Sequence, residues 1–384
     1  LYNSNYEETT DAAGYVFGGS STGLSTGYDI ISKSLYGELA FNFENSSTLS
    51  VGFRHEARDI DYFDFDNPSA SFDLDGNWNT SYKVAYEMHP TSNLHWYIYA
   101  AEGYHPAGVN QNPYLDMEDK TYDDEIYIDV TTGIRWYTDN IKLSTSLFYL
   151  EHDGHIFETS EQLDPSNPNA FAFFKQNADS GYEYGSETSG EFKLNDRFSM
   201  GLSLGLMSSE IEFGDHAEHG DEHGEDDHDE DHDEDHDEDH DEDHDEDHDE
   251  DHDDHGDDHD DHGGHEGHAE HGQKAHAPNW NYSLTFNYNF TEDSSLMVEI
   301  AGKDAFIFDS QNDSYESDPY HLLNAYYSHS FNKIRLGVYA KNILDESFAD
   351  RGFIFGLEPP HFHEKLYKSF GPPREIGMSL TYSF

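Results

Sequence analysis

Counting back from Phe384, every second residue is large and apolar: Phe384, Tyr382, Leu380, Met378 and Ile376. The positions between them are Ser383, Thr381, Ser379 and Gly377. A period of two puts successive residues on opposite faces of a strand, so this stretch predicts a strand with one apolar and one small polar face. The same alternation recurs upstream. Residues 29–43 place Leu35, Gly37, Leu39, Phe41 and Phe43 on one face, and Leu49, Val51 and Phe53 begin a partner. Tyr82, Val84, Tyr86 and Met88 follow, then Leu94, Trp96, Ile98 and Ala100, and then the pair carrying Ile126 to Trp136 and Ile141 to Tyr149. A weaker strand is expected over about 173–194. Past it, Phe198, Met200, Leu202, Leu204 and Leu206 alternate clearly, as do Tyr282, Leu284, Phe286, Tyr288 and Phe290. Strands around Leu296, Leu323 and Ile334 bring the total to about thirteen.

The connections alternate between two kinds. Short turns at 44–48, 90–93, 139–140, 195–197, 291–295 and 332–333 alternate with long loops. A two-sheet sandwich shares the strand pattern but has no reason to keep this asymmetry, whereas a membrane β-barrel does, with short turns on one side and long loops on the other. Composition agrees: Tyr 27, Phe 26 and Gly 31 with a hydrophobic fraction of 34% suit aromatic girdles around a polar lumen. No apolar run approaches the roughly 20 residues of a membrane helix, so any spanning falls to strands. Without Cys there is no disulfide, thiol nucleophile or thiolate metal site. A net charge of −63 opposes nucleic acid binding, and no nucleophile motif or phosphate loop supports catalysis. The chain begins at Leu1 without the regions of a secretory leader, and it reads as a fragment.

Three stretches resemble TonB-dependent outer-membrane receptors. Residues 338–353, VYAKNILDESFADRGF, are similar to the family's N-(L/I)-(F/L)-D segment in the penultimate strand. Residues 371–384, GPPREIGMSLTYSF, resemble its closing strand, in which a Pro-Arg pair precedes the alternating terminus. Residues 99–110, YAAEGYHPAGVN, are similar to a mid-barrel strand end leading into an external loop. The resemblance implies an all-β, antiparallel transmembrane β-barrel of about 22 strands with an amino-terminal plug, of which this chain is the carboxyl-terminal portion. It implies a location in the outer membrane of a Gram-negative bacterium, contact with its lipid, and transport rather than catalysis. It also implies energy from the TonB complex through a plug region outside this chain, and recognition of the strand ending in Phe384 by the barrel-assembly machinery. The expected division is an external loop over 1–26, eight strands over 27–214, an acidic external loop over 215–276, and the last strands over 277–384.

The acidic loop repeats Asp-Glu-Asp-His and spaces His228, His232, His236, His240, His244, His248 and His252 by four. It holds 17 of the 27 His and 33 of the 82 acidic residues, with Lys274 its single base, so its charge opposes collapse and disorder is expected. Imidazole and carboxylate suit Zn, Ni, Cu(II) or ferrous iron. Many weak sites are expected rather than one rigid cage. The alternative is an acidic repeat without any ligand, since a His tract is a compositional signal. A dense negative loop would concentrate a bare divalent cation and repel anionic iron chelates. The loop is also similar in composition to those of the family's zinc-uptake receptors.

Smaller candidates are His361 and His363 in the last long loop, His152 and His155 beyond the sixth strand, and His105 in the mid-barrel motif. Solvated loop histidines are the favoured reading of each pair, because the sequence fixes no third ligand. Arg54, Arg135, Arg335 and Lys341 fall on polar strand faces and are expected to pair with lumen carboxylates such as Glu56 and Asp129, or to meet an anionic substrate. The reading is TonB-dependent import of a scarce nutrient, preferably zinc as the transported ion, with no cofactor required. Import of a ferric siderophore and a passive metal-buffering or adhesive barrel are the alternatives.

Overall fold

In the computed structural model the described residues are 2–17, 20–111, 115–162, 171–213, 271–355 and 365–384. They belong to one unit, Leu1–Gly214 with Ala269–Phe384. The first strands are β1 (Tyr2–Phe17), β2 (Ser20–Phe43), β3 (Ser47–Asp64) and the short β4 (Phe72–Leu74). β5 (Asn79–Thr91) and β6 (Leu94–His105) follow, then β7 (Gly108–Val109) and β8 (Thr121–Tyr122). β9 (Glu125–Tyr137) and β10 (Ile141–Asp153) precede a hairpin of β11 (Ile156–Gln162) with β12 (Phe171–Asn177). Next come β13 (Ser180–Lys193), β14 (Phe198–Glu212), β15 (His271–Gly272), β16 (Trp280–Thr291) and β17 (Ser294–Lys303). The chain ends with β18 (Tyr320–Phe331), β19 (Ile334–Lys341), the hairpin β20 (Ala349–Phe355) with β21 (Lys365–Phe370), and β22 (Glu375–Tyr382).

Fourteen of these strands form one antiparallel sheet in the order β1-β2-β3-β5-β6-β9-β10-β13-β14-β16-β17-β18-β19-β22. β1 and β22 are its two ends, and among the described residues no pairing joins them. Because neighbouring strands alternate in direction, all six short turns fall at one end of the sheet and the long connections at the other. The register carries one apolar line from strand to strand: Leu39 lies opposite Val51, Val51 opposite Val84, Val84 opposite Ala100, Ala100 opposite Val130 and Val130 opposite Tyr149. At the carboxyl end Tyr327, Val338 and Met378 continue the pattern. Leu39, Met378 and Leu380 are 66%, 79% and 71% exposed. An apolar face this continuous and this open needs lipid rather than water against it. The opposite face carries Lys83, Asp129, Arg135, Glu183, Glu299 and Lys341. No helix among the described residues is long and apolar enough to cross a membrane.

Three expectations change. Residues 1–26, expected to be an external loop, hold β1 and the start of β2, paired from Tyr2 with Ser34 to Phe17 with Ser20, so the main path of the sheet has fourteen strands, with β4 and β15 added beside β3 and β14. The single strand expected over 173–194 is two elements: Phe171–Asn177 folds back on Ile156–Gln162, and only Ser180–Lys193 joins the sheet. At the far end of the acidic segment, His271–Gly272 pairs with Ile211 and Glu212, so the expected loop over 215–276 includes a short strand. There Gly272 is required by close approach, since a Cβ would lie 2.0 Å from the Ser310 carbonyl oxygen.

The stretches that carried the family resemblance turn out to close loops. Asn342 adopts φ 46°, accepts the Glu346 N–H, and donates from Nδ2 to the Glu346 and Pro372 carbonyls. Arg374 donates its N–H to Asp345 Oδ1 and its guanidinium to Asp345 Oδ2 at 3.2 Å, which ties the two carboxyl-terminal motifs together. Asn110, from the third motif, is buried and bonds the Asp119 and Lys175 carbonyls and the Lys175 N–H. The buried apolar clusters also sit among the long connections. Phe306, Phe308 and Ala349 form one of them; Ala178, Ile211 and Phe213 form another.

Candidate metal centre

The polar face converges on chemistry at the end that bears the long connections. Glu125 begins β9, and His152 is the penultimate residue of β10, directly opposite Tyr127. Two residues on, Gly154 takes φ 68°, a left-handed conformation that L side chains rarely adopt. Its N–H bonds the Asp179 carbonyl and its own carbonyl accepts Asn177 Nδ2, so the chain reverses sharply. That reversal brings His155 back beside His152, with ring centroids 5.1 Å apart and planes at 75°.

Both imidazoles address one oxygen. His152 Nδ1 lies 2.7 Å and His155 Nδ1 2.9 Å from Glu125 Oε1. A carboxylate oxygen only accepts, so each ring presents Nδ1–H there. Glu125 and His152 are each 9% exposed. The three side chains form the one group of His and acidic residues among the described residues whose donor atoms all lie within 4.8 Å of one another. A second carboxylate completes the surroundings: Glu183 Oε1 is 3.5 Å from His152 Nε2 and 2.6 Å from Lys274 Nζ. His152 Nε2 is buried, and its geometry toward Glu183 is too poor for a full hydrogen bond. Two nitrogens and one carboxylate oxygen make a borderline donor set suited to Zn, Cu(II), Ni or ferrous iron.

The other candidates divide. His105 faces Glu125 in the β6–β9 register, but its side chain is exposed and joins neither imidazole. His361, His363 and the repeat His228, His232, His236, His240, His244, His248 and His252 lie outside the described residues. His276, last of the acidic stretch, is structural. It packs against Phe306 and Phe308 with ring centroids at 5.5 and 5.8 Å, and burial, helped by Lys303 and Arg351, holds its pKa below the usual imidazole value.

Among the basic residues, Arg54 pairs with Glu56 as expected. Arg135 instead lies 5.2 Å above the Tyr97 ring, while Asp129 accepts bonds from Tyr99 and Thr131. Arg335 bonds Ser328 Oγ, and Lys341 lies 3.7 Å from Glu375, a carboxylate on the facing strand. Sequence reading missed Glu125, Glu183 and Lys274. Glu125 follows Asp123 and Asp124 and looks like another loop acid; only the strand register shows that it faces two histidines.

A single antiparallel sheet with a lipid-type face, a polar face and all long connections at one end defines an outer-membrane type of β-barrel protein. The family model "TonB dependent receptor-like, beta-barrel" matches residues 1–343, and the chain belongs to that family. Its members are outer-membrane transport receptors of Gram-negative bacteria. The fold is similar to that of the ferric yersiniabactin uptake receptor FyuA from Yersinia pestis, at 15% identity and a TM-score of 0.64, covering 100% of this chain and 50% of that one. It is also similar to the siderophore receptor PiuA from Acinetobacter baumannii, at 12% identity and a TM-score of 0.61, covering 94% and 44%. The copper transporter OprC shares the fold at 11% identity and a TM-score of 0.63, covering 100% and 53%. The chain thus spans about half the length of these proteins.

Proposed function

We propose that this chain forms part of an outer-membrane receptor that imports a divalent metal, zinc preferred, with energy from the TonB complex. The observation that carries this reading is the convergence of His152 and His155 on Glu125 at the loop end of the polar face. The acidic repeat raises the local concentration of the cation by charge and weak ligation, and the three-residue centre accepts it from there. Imidazole must lose its proton to bind metal, so loading strengthens as pH rises and is opposed in acid. The lipid-facing row sits in the outer membrane, and the terminal strand addresses the barrel-assembly machinery.

The competing reading is import of a ferric chelate, favoured by the similarity of the fold to the ferric yersiniabactin uptake receptor FyuA and the siderophore receptor PiuA. The charge argues against it, because the chain outside 215–276 still carries 49 acidic against 18 basic residues and repels an anionic complex. Uptake by cells bearing the full-length receptor separates the two. Replacing His152 and His155 by Ala should abolish uptake of radioactive zinc at limiting concentration and leave ferric-chelate uptake unchanged. Loss of chelate uptake with zinc uptake intact would overturn the zinc reading in favour of the siderophore one.

A further inference from the structure

The metal-centre reading leaves one arrangement unexplained: a buried imidazole nitrogen, His152 Nε2, that faces the Glu183 carboxylate at 3.5 Å without good hydrogen-bond geometry. The oxygen it faces, Glu183 Oε1, is already held by Lys274 Nζ at 2.6 Å. Lys274 is placed there by the backbone. Its N–H bonds Ser209 Oγ at 3.1 Å, and Ser209 is the register partner of Glu183 across β13 and β14. Two residues earlier, Gly272 pairs with Ile211 and passes against Ser310. Lys274 is also the first basic residue after the acidic repeat and follows it closely in the chain.

A cation bound where the two Nδ1 atoms and Glu125 Oε1 meet takes the Nδ1 lone pair of His152. The proton of that ring must then sit on Nε2, which makes that nitrogen the ring's single donor and points it at Glu183. A carboxylate that accepts this second N–H fixes the ring of a metal-bound histidine and strengthens its donor nitrogen. The Lys274 ammonium competes for the same oxygen and offsets its charge.

We propose that Glu183 is a positioning residue for the metal centre and that Lys274, at the stem of the acidic repeat, weakens the centre by occupying Glu183. The proposal rests on the assignment of Glu125, His152 and His155 as ligands. Linkage makes the effect reciprocal: a bound cation loosens the hold on Lys274, and withdrawal of Lys274 tightens the hold on the cation. The stem of the repeat therefore senses whether the centre is loaded.

The test is zinc titration of the full-length receptor against a chromophoric chelator, read as its tight phase, together with the electronic spectrum of the cobalt(II)-loaded protein. Glu183→Gln should weaken zinc about 10- to 100-fold, while the cobalt bands stay where they are because Glu183 is not a ligand. Lys274→Met and Lys274→Gln should each tighten zinc, by about tenfold, and Lys274→Arg should resemble the parent. The double variant Glu183→Gln/Lys274→Met should be no tighter than Glu183→Gln alone, since Lys274 acts only through Glu183. Weaker or unchanged binding in both neutral Lys274 variants would overturn the proposal, as would a shift of the cobalt bands in Glu183→Gln. If Glu125→Gln and His152→Ala bind zinc like the parent, the ligand assignment itself has failed. If those two abolish the tight phase while the Glu183 and Lys274 variants leave it unchanged, only the positioning role has failed.

Discussion

Gly154 is the residue on which the geometry of the centre turns, and replacing it measures how far the fold sets metal affinity. At φ 68° an added Cβ meets left-handed strain of about 1–2 kcal/mol, and it would also lie 3.0 Å from the Asp124 carbonyl oxygen. Gly154 is the bend that returns His155 to Glu125, so relief of the strain opens the angle between the two histidines. If the strain is relieved wholly at the centre, Gly154→Ala weakens zinc by roughly 5- to 30-fold. Gly154→Asn carries the same Cβ, but Asn tolerates the left-handed region, so it should recover the part of the loss due to backbone conformation and keep the part due to contact with Asp124. The assay is a competition titration on purified full-length receptor, with heat-modifiable gel mobility as the check that the barrel is folded. Equal affinity for parent, Ala and Asn variants would show that the bend does not set the geometry. Equal loss in Ala and Asn would assign the effect to the Asp124 contact and refute the conformational argument.

Four further outcomes are expected. Zinc affinity should fall as pH drops, because protons compete for the ligand nitrogens, and the fall should begin above the ordinary imidazole range, since burial of the His152 ring is outweighed by the Glu125 and Glu183 carboxylates, which favour its protonated form; a titration flat from alkaline pH to pH 5 would exclude histidine ligation. Deleting 215–268 should raise the zinc concentration needed for half-maximal uptake and leave the maximal rate nearly intact, whereas a lost maximal rate would place the repeat in the transport step itself. Val84→Arg, on the exposed apolar line, should cost about 2–4 kcal/mol in urea unfolding from lipid vesicles, and no change would show that this face does not meet lipid. Asn342→Ala removes three hydrogen bonds and leaves Ala at φ 46°, so unfolding should become easier by about 2–3 kcal/mol.

How much of this was legible in the sequence follows from where the solvent changes. Where one face meets an apolar medium and the other a polar one, alternation is imposed, and strands such as β14, β16 and β22 can be read directly. β1 has no such pattern in YNSNYEETTDAAGYVF, and its pairing with the first half of β2 rests on the backbone ladder, which leaves no mark on side-chain chemistry. The β11–β12 hairpin was missed for the opposite reason, because Phe171–Asn177 has apolar residues but pairs in a hairpin of its own and not in the main sheet. The motif segments were visible as words, and their meaning as paired loop closures appeared only once Asp345 and Arg374 were seen to bond. The centre was half visible. His152 and His155 stood out by type, but the third partner is set by the register of β9 against β10, and Glu183 by that of β13, neither of which the spacing of residues along one chain reports.

The account stands most directly on one measurement: X-ray absorption at the zinc edge on full-length receptor lacking 215–268, so that the weak sites of the repeat do not contribute. One zinc per chain is expected, with two imidazole nitrogens at about 2.0–2.1 Å and carboxylate oxygen at about 2.0–2.2 Å. That signal should disappear in the His152→Ala/His155→Ala variant. A receptor that binds no zinc at this stoichiometry, or whose spectrum is unchanged by the two replacements, would contradict the assignment of the centre.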